Sequence, residues 1–195
     1  MMSDSTRERI VAAARAEFAQ YGIAGARVAR IAANAKTSKE RVYAYFSSKE
    51  DLYRLITAEE LGAIARATRI DVTDLPGYAG RVHDYFTTHP ERARLLAWGR
   101  LELGTTEGDP LRRAVAGKLG QLRKAQEAGR LDPAWDPVDV LMLINQMAMT
   151  WADQPDFVAA VPEPERAAYL AARRAAIVTA VERLFPATAP APGPV

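Results

Sequence analysis

Lys39, Glu40, Arg41, Tyr43 and Tyr45 fall within seven residues, flanked by Lys36 and Lys49. Long cationic donors interleaved with amphipathic rings suit hydrogen bonding along a polyanion better than they suit covalent chemistry. Their spacing asks for a helix, with Val42 and Phe46 on its buried side at i and i+4. Ser38 sits where an N-cap is wanted, able to accept from the first free N–H groups. Just upstream, Val28, Ile31, Ala32 and Ala35 share one face of another short helix. Two short helices joined by a turn of three or four residues form a helix-turn-helix, whose second helix lies in a DNA major groove.

Composition agrees and removes other chemistries. The 195 residues can bury a sizeable core, and their net charge of +2 conceals an asymmetry. Residues 1–54 hold ten Lys/Arg against six Asp/Glu, and the remainder holds sixteen against eighteen. A basic end on a slightly acidic body points to a polyanion at one end only. With no cysteine, disulfides, thiolate nucleophiles and cysteine metal sites are excluded, and His83 and His89 are too few for a metal cluster. All five serines lie within the first 48 residues, so the rest lacks the commonest nucleophiles; no glycine-rich phosphate loop is present. The expectation is a protein that is not an enzyme and needs no cofactor. Neither a signal peptide nor a run of eighteen apolar residues occurs, so a cytoplasmic location without membrane contact is expected.

The elements that must hold this stretch follow from periodicity. Residues 5–21 read as a helix with capping-box spacing at Ser5 and Glu8 and a stop at Gly22. Ser47 and Ser48 cap a fourth helix from Lys49 to about Ala67. Lys49 opposes that helix's dipole, which makes sense if a phosphate binds there as well. Further helices are expected at about 77–88, from Pro90 to the TTEGDP stop at 105–110, and from Pro110 to about Ala128. The last two expected, 137–153 and 163–185, are apolar on more than one face and need cover on both. The final PATAPAPGPV reads as a disordered tail.

The run Ile10 through Phe18, Gly22, Val28, Ile31-Ala32, Ser38-Lys39, Val42-Tyr43, Tyr45-Phe46 and Lys49-Glu50-Asp51-Leu52 resembles the DNA-binding domain of the tetracycline-repressor (TetR) family over roughly residues 7–55. YAYFSSKEDL is its most specific piece. The resemblance places Lys39, Arg41, Tyr43, Tyr45 and Lys49 where the family touches DNA. Arg41 would pair with guanine, Glu40 would accept from a cytosine amino group and Ala44 would meet a thymine methyl. Tyr43, Tyr45 and Lys49 would position the backbone. This chain departs from the family in three places. Ala26-Arg27 replaces the usual Thr-rich helix start, so the cap is lost and Arg27 is left to meet phosphate. Lys36 stands where glycine is common, and Thr37 replaces an aliphatic; each bears on the operator sequence read.

The resemblance implies an all-α protein of about nine helices. Residues 1–48 form the three-helix DNA-binding domain, 49–185 a helical ligand-binding and dimerisation domain, and 186–195 the tail. It implies a homodimer, two reading helices on a palindromic DNA operator, and release of this repressor by a small apolar effector. Tyr78, Tyr85, Phe86, Trp98, Glu102, Asn145, Met149, Trp151 and Asp153 are candidates for the effector site. Leu170, Arg174, Ile177, Val178, Val181 and Leu184 are candidates for the dimer contact. Two alternatives stay open: a DNA-binding regulator without a ligand, and a ligand-binding protein whose DNA contacts have decayed.

Overall fold

The computed structural model describes residues 2–103, 110–152 and 154–186 and is all-helical among them. The elements are α1 (Met2–Gly25), α2 (Val28–Asn34), α3 (Lys39–Tyr45), α4 (Lys49–Ala67), α5 (Leu75–Thr88), α6 (Pro90–Glu102), α7 (Pro110–Glu127), α8 (Pro137–Met149), α9 (Pro155–Ala159) and α10 (Glu163–Leu184). The short α9 is additional to the expected set; Pro155 at its first position supplies a preset φ and lacks an N–H that would go unpaired. Helix α1 begins ahead of Ser5, which therefore lies inside the helix rather than capping it. The predicted tail from Ala187 and residues 105–109 of the expected stop lie outside the described residues. No helix among the described residues is long and apolar enough to cross a membrane.

Two compact units emerge. The first comprises Met1–Ala63 with His89–Pro110, and the second Ile64–Thr88 with Leu111–Val195. In the first, Ile10, Ala14 and Phe18 of α1, Ile31 and Ala32 of α2, Val42 of α3, Leu52, Tyr53 and Ile56 of α4 and Leu95 of α6 form one apolar core. Phe18 meets Tyr53 edge to face at 5.3 Å, and the Tyr53 hydroxyl donates to the Leu95 carbonyl at 2.5 Å. A buried carboxylate, Glu60 of α4, pairs with Arg15 of α1 at 2.7 Å and Arg92 of α6 at 3.2 Å. It thereby ties three helices to one charge centre.

Helix α1 does not run straight. Gly22 takes φ 70° and ψ −177°, a backbone region open essentially to glycine alone, and the helix resumes beyond it. Trp98 and Glu102 of α6 seat against this kink, and Glu102 Oε2 accepts from the Ala24 N–H at 2.6 Å.

The second unit is built on α5 packed against α8 and α10. Tyr78, Ala79, Val82, His83 and Phe86 form α5's buried face. Val140, Leu141, Ile144 and Ala148 supply that of α8, while Ile177 and Val181 supply that of α10. Arg174 Nε donates to both carboxylate oxygens of Asp84 at 2.8 and 2.9 Å, joining α10 to α5.

A candidate nucleic-acid interface and a polar cluster

Helix α3 is held outward by what it buries. Val42 is 2 % exposed, and Phe46, its C-cap, is buried beneath it. The opposite face is open: Lys39, Glu40, Arg41, Tyr43 and Ala44 are all exposed, Tyr43 by 54 %. Ser38 caps the helix as expected, its Oγ accepting from the Arg41 N–H at 3.2 Å. Glu40 is held below the ordinary carboxylate range by its own backbone N–H and the Ser38 hydroxyl, which direct it toward the start of the helix. The Arg41 guanidinium lies over the Tyr45 ring at 5.5 Å. Tyr45 itself is half-buried and packs against the core, so its ring is a brace as much as a surface.

The three departures at the ends of the preceding helix resolve physically. Arg27 makes no side-chain cap to α2. Instead Glu17, reaching from α1, accepts from the Arg27 N–H and from Arg30 Nε, both at 2.8 Å, and pairs with Arg30 Nη2 at 2.6 Å. Burial pushes the Glu17 carboxyl up, but the hydrogen bonds from Arg30 and Arg27 outweigh it, and its pKa falls below the usual value. Glu17 thus fixes the start of α2 from another helix by holding the N–H of its N-cap residue. Lys36 has φ 53°. The Lys36 N–H donates to Ala33 O at 3.1 Å and that of Thr37 to Ala32 O at 2.9 Å, the paired bonds of a Schellman helix end with lysine in the left-handed position. Lys36 is exposed and Thr37 half-buried.

Lys49 is less free than its sequence position implied. Its ammonium donates to the carbonyls of Ala24 and Ala26, each at 3.3 Å, leaving one N–H for another acceptor. It borders an open groove lined by residues 26–29, Lys39, Tyr43 and 47–50. Ser48 Oγ accepts from the Asp51 N–H at 2.9 Å, and Ser47 Oγ donates to Asp51 Oδ2 at 2.6 Å, so both serines serve α4's start.

The nine residues proposed for an effector do not all come together. Trp98 and Glu102 belong to the first unit, engaged with the α1 kink, because α6 folds with α1 rather than with α5. Asp153 lies outside the described residues. Trp151 is occupied edge-on by Tyr169 at 5.9 Å, with Arg173 over its ring at 5.6 Å. Tyr85 and Phe86 form an edge-to-face pair at 5.3 Å, and Met149 is half-buried. Tyr78 and Asn145 do meet: the tyrosine hydroxyl donates to Asn145 Oδ1 at 2.8 Å. The Tyr78 hydroxyl oxygen in turn accepts from Lys118 Nζ of α7 at 2.8 Å. Burial pushes the Tyr78 hydroxyl up to about 12 and draws the Lys118 ammonium down to about 8. Lys118 escaped the residue-type reading, yet it carried a signal. With Leu122 and Ala125 it lies on the buried stripe of α7, where an apolar residue belongs.

The dimer candidates need correction. Val181 is 0 % and Ile177 6 % exposed within the single chain, so both belong to its own core. Arg174 is committed to Asp84, while Leu170, Val178 and Leu184 are half-buried. The open faces are others. Ala168, Ala172, Ala175 and Ala176 are exposed on α10, and Val138, Met142 and Leu143 on α8, Met142 by 50 %.

A capped, outward-facing cationic helix set on a two-helix platform defines a helix-turn-helix DNA-binding protein. Comparison with known sequences and structures gives its family. Residues 10–56 match the family model described as bacterial regulatory proteins, tetR family, and residues 74–183 match the tetracyclin repressor-like C-terminal domain. The HTH-type transcriptional repressor SCO4008 of Streptomyces coelicolor is 38 % identical over 152 residues, covering 76 % of this chain and 79 % of its own. The HTH-type transcriptional repressor NicS of Pseudomonas putida is 32 % identical over 138 residues, 66 % of this chain and 65 % of its own. The crystal structure of the transcriptional regulator SCO4942 from Streptomyces coelicolor superposes with a TM-score of 0.83 at 59 % identity, covering 93 % of this chain and 98 % of that one. The chain belongs to the TetR family of DNA-binding transcriptional regulators.

Proposed function

We propose that the chain is a homodimeric repressor that grips a palindromic operator with one α3 per half-site and leaves it when a small molecule occupies the second unit. The observation that carries this reading is the outward face of α3, donor-rich and fixed in place by the burial of Val42 and Phe46 beneath it. Arg41 and Lys39 are free to reach base edges and phosphates, with Arg27, Lys36 and Lys49 around them. Retention of this set argues against decayed DNA binding. The names of SCO4008 and NicS, both repressors, support repression as the direction of control.

A single α3 reads few bases. A two-fold dimer presents two such helices about 34–36 Å apart, one turn of DNA. The exposed apolar side of α8 and the alanine side of α10 suit that contact, because small side chains let helices approach closely. In the second unit Tyr78, Tyr85, Phe86, Asn145 and Met149 offer rings, a thioether and one amide to a mostly apolar effector. Occupancy there would bias α4, and a preference of about 1–3 kcal/mol between two arrangements is enough to change DNA occupancy several-fold to a hundredfold. The place of action is the cytoplasm.

Footprinting on genomic DNA, followed by fluorescence anisotropy on the recovered sites across a salt series, tests the DNA half of this reading. The expected result is protection of inverted repeats and an affinity that falls steeply with salt. A chain indifferent to duplex DNA in dilute buffer overturns it. Thermal-shift screening of small molecules tests the effector half, since a ligand that binds the folded chain raises its melting temperature.

A further inference from the structure

Tyr78, Asn145 and Lys118 come from three helices, α5, α8 and α7, and their hydrogen bonds run in one direction. Lys118 donates to Tyr78, and the Tyr78 hydroxyl donates in turn to Asn145 Oδ1. The tyrosine oxygen has both given and received. Among the described residues, two N–H groups on the ammonium and the two N–H groups of the Asn145 amide remain unspent. The cluster's open capacity is therefore mostly donor and carries a positive charge. Among the described residues no carboxylate pairs with Lys118; the other contact it makes is with the Tyr78 ring, 4.7 Å from its centroid.

We infer that this cluster is a recognition site for an anionic head group, a carboxylate or phosphate, on an otherwise apolar molecule. This rests on the effector reading above and sharpens it: the ligand is an amphiphile rather than a plain hydrocarbon. A half-buried ammonium without a counter-ion is costly, and a protein keeps such a group where a ligand supplies the missing charge. Two acceptor oxygens would meet the spare Lys118 and Asn145 donors together, with charge-assisted bonds on the lysine side. Tyr78 holds both donor groups in register. Burial already draws Lys118 down to about 8, so an anion beside it restores the charged form, and affinity falls as pH rises through that value. Tyr78, the other titratable group facing it, stays protonated to about 12 and leaves that pH step to the lysine.

The test is calorimetric titration of the full chain with alkyl carboxylates and alkyl phosphates of several chain lengths, each matched to its amide and alcohol. The expected result is about a tenfold to hundredfold preference for an anion over its neutral match. That preference should disappear in Lys118→Met, which keeps the apolar stem, shrink in Tyr78→Phe, and fade in the native chain above about pH 8. Whether carboxylate or phosphate binds more tightly identifies the source of the charge. The inference is overturned if no anion in the series outbinds its neutral match, or if Lys118→Met retains the preference. Operator affinity of ligand-free Lys118→Met is measured alongside. If the native chain binds its operator but shows no preference for an anion, the regulator reading stands and only the head-group assignment falls.

Discussion

Lys36 adopts a left-handed conformation at the end of α2, where glycine would be unstrained. Replacing it with glycine should therefore stabilise the fold by about 1 kcal/mol while weakening operator binding at low salt, if its ammonium faces phosphate. Calorimetry and anisotropy on the same variant check the two halves separately, and a loss of stability would overturn the strain assignment. Arg41→Ala should cost about 1–3 kcal/mol at one base position per half-site and leave other positions unmoved. Uniform weakening over all operator variants would make Arg41 a phosphate contact instead. Glu17 predicts a pH effect. Its carboxyl titrates below the ordinary value in the folded chain, so the stability it contributes is complete above the usual carboxylate range and lost as pH falls through the lowered value. Melting temperatures should decline as pH drops below the ordinary carboxylate value of 4.5, and Glu17→Gln should flatten that decline while costing about 1–2 kcal/mol near neutrality.

At the scale of elements, α1 and α6 meet at a point that admits no side chain. A Cβ on Gly22 would sit 2.5 Å from Glu102 Oε1 and 2.9 Å from the Trp98 ring, on a backbone that disfavours any other residue. Gly22→Ala should destabilise by about 1–3 kcal/mol, measured by thermal unfolding. Helices α8 and α10 carry the test of assembly. Met142→Glu, on an exposed face, should yield monomers that keep their native melting behaviour, whereas Val181→Glu would unfold the chain's own core. An unaltered dimer in sedimentation would move the contact elsewhere. Legibility in the sequence follows the same division. The α2–α3 stretch was readable because its caps, turn and apolar spacing are local, and Ser38, Val42 and Phe46 stand where spacing placed them. Faces of α8 and α10 were not, since both are apolar on more than one face and only packing against α5 decides which side turns inward. Trp98, Glu102 and Lys118 were misread or missed for a related reason: a residue's type does not reveal which distant helix it will meet.

In the whole molecule, the first unit is not a continuous piece of chain. Leu95, Trp98 and Glu102 enter it from beyond residue 88, supplying the acceptor for the Tyr53 hydroxyl and a brace for the α1 kink. A fragment ending at Ala67 should therefore melt less cooperatively and bind the operator more weakly than the full chain, even at concentrations that favour pairing; calorimetry of the fragment checks it. The dependence reaches beyond stability, to how such regulators can be recombined. Anyone building a chimera that sets this DNA-reading head on a foreign sensor body must transplant α6 along with the amino-terminal segment, or re-create its tryptophan and glutamate in the recipient. A splice at the end of α4 would discard both.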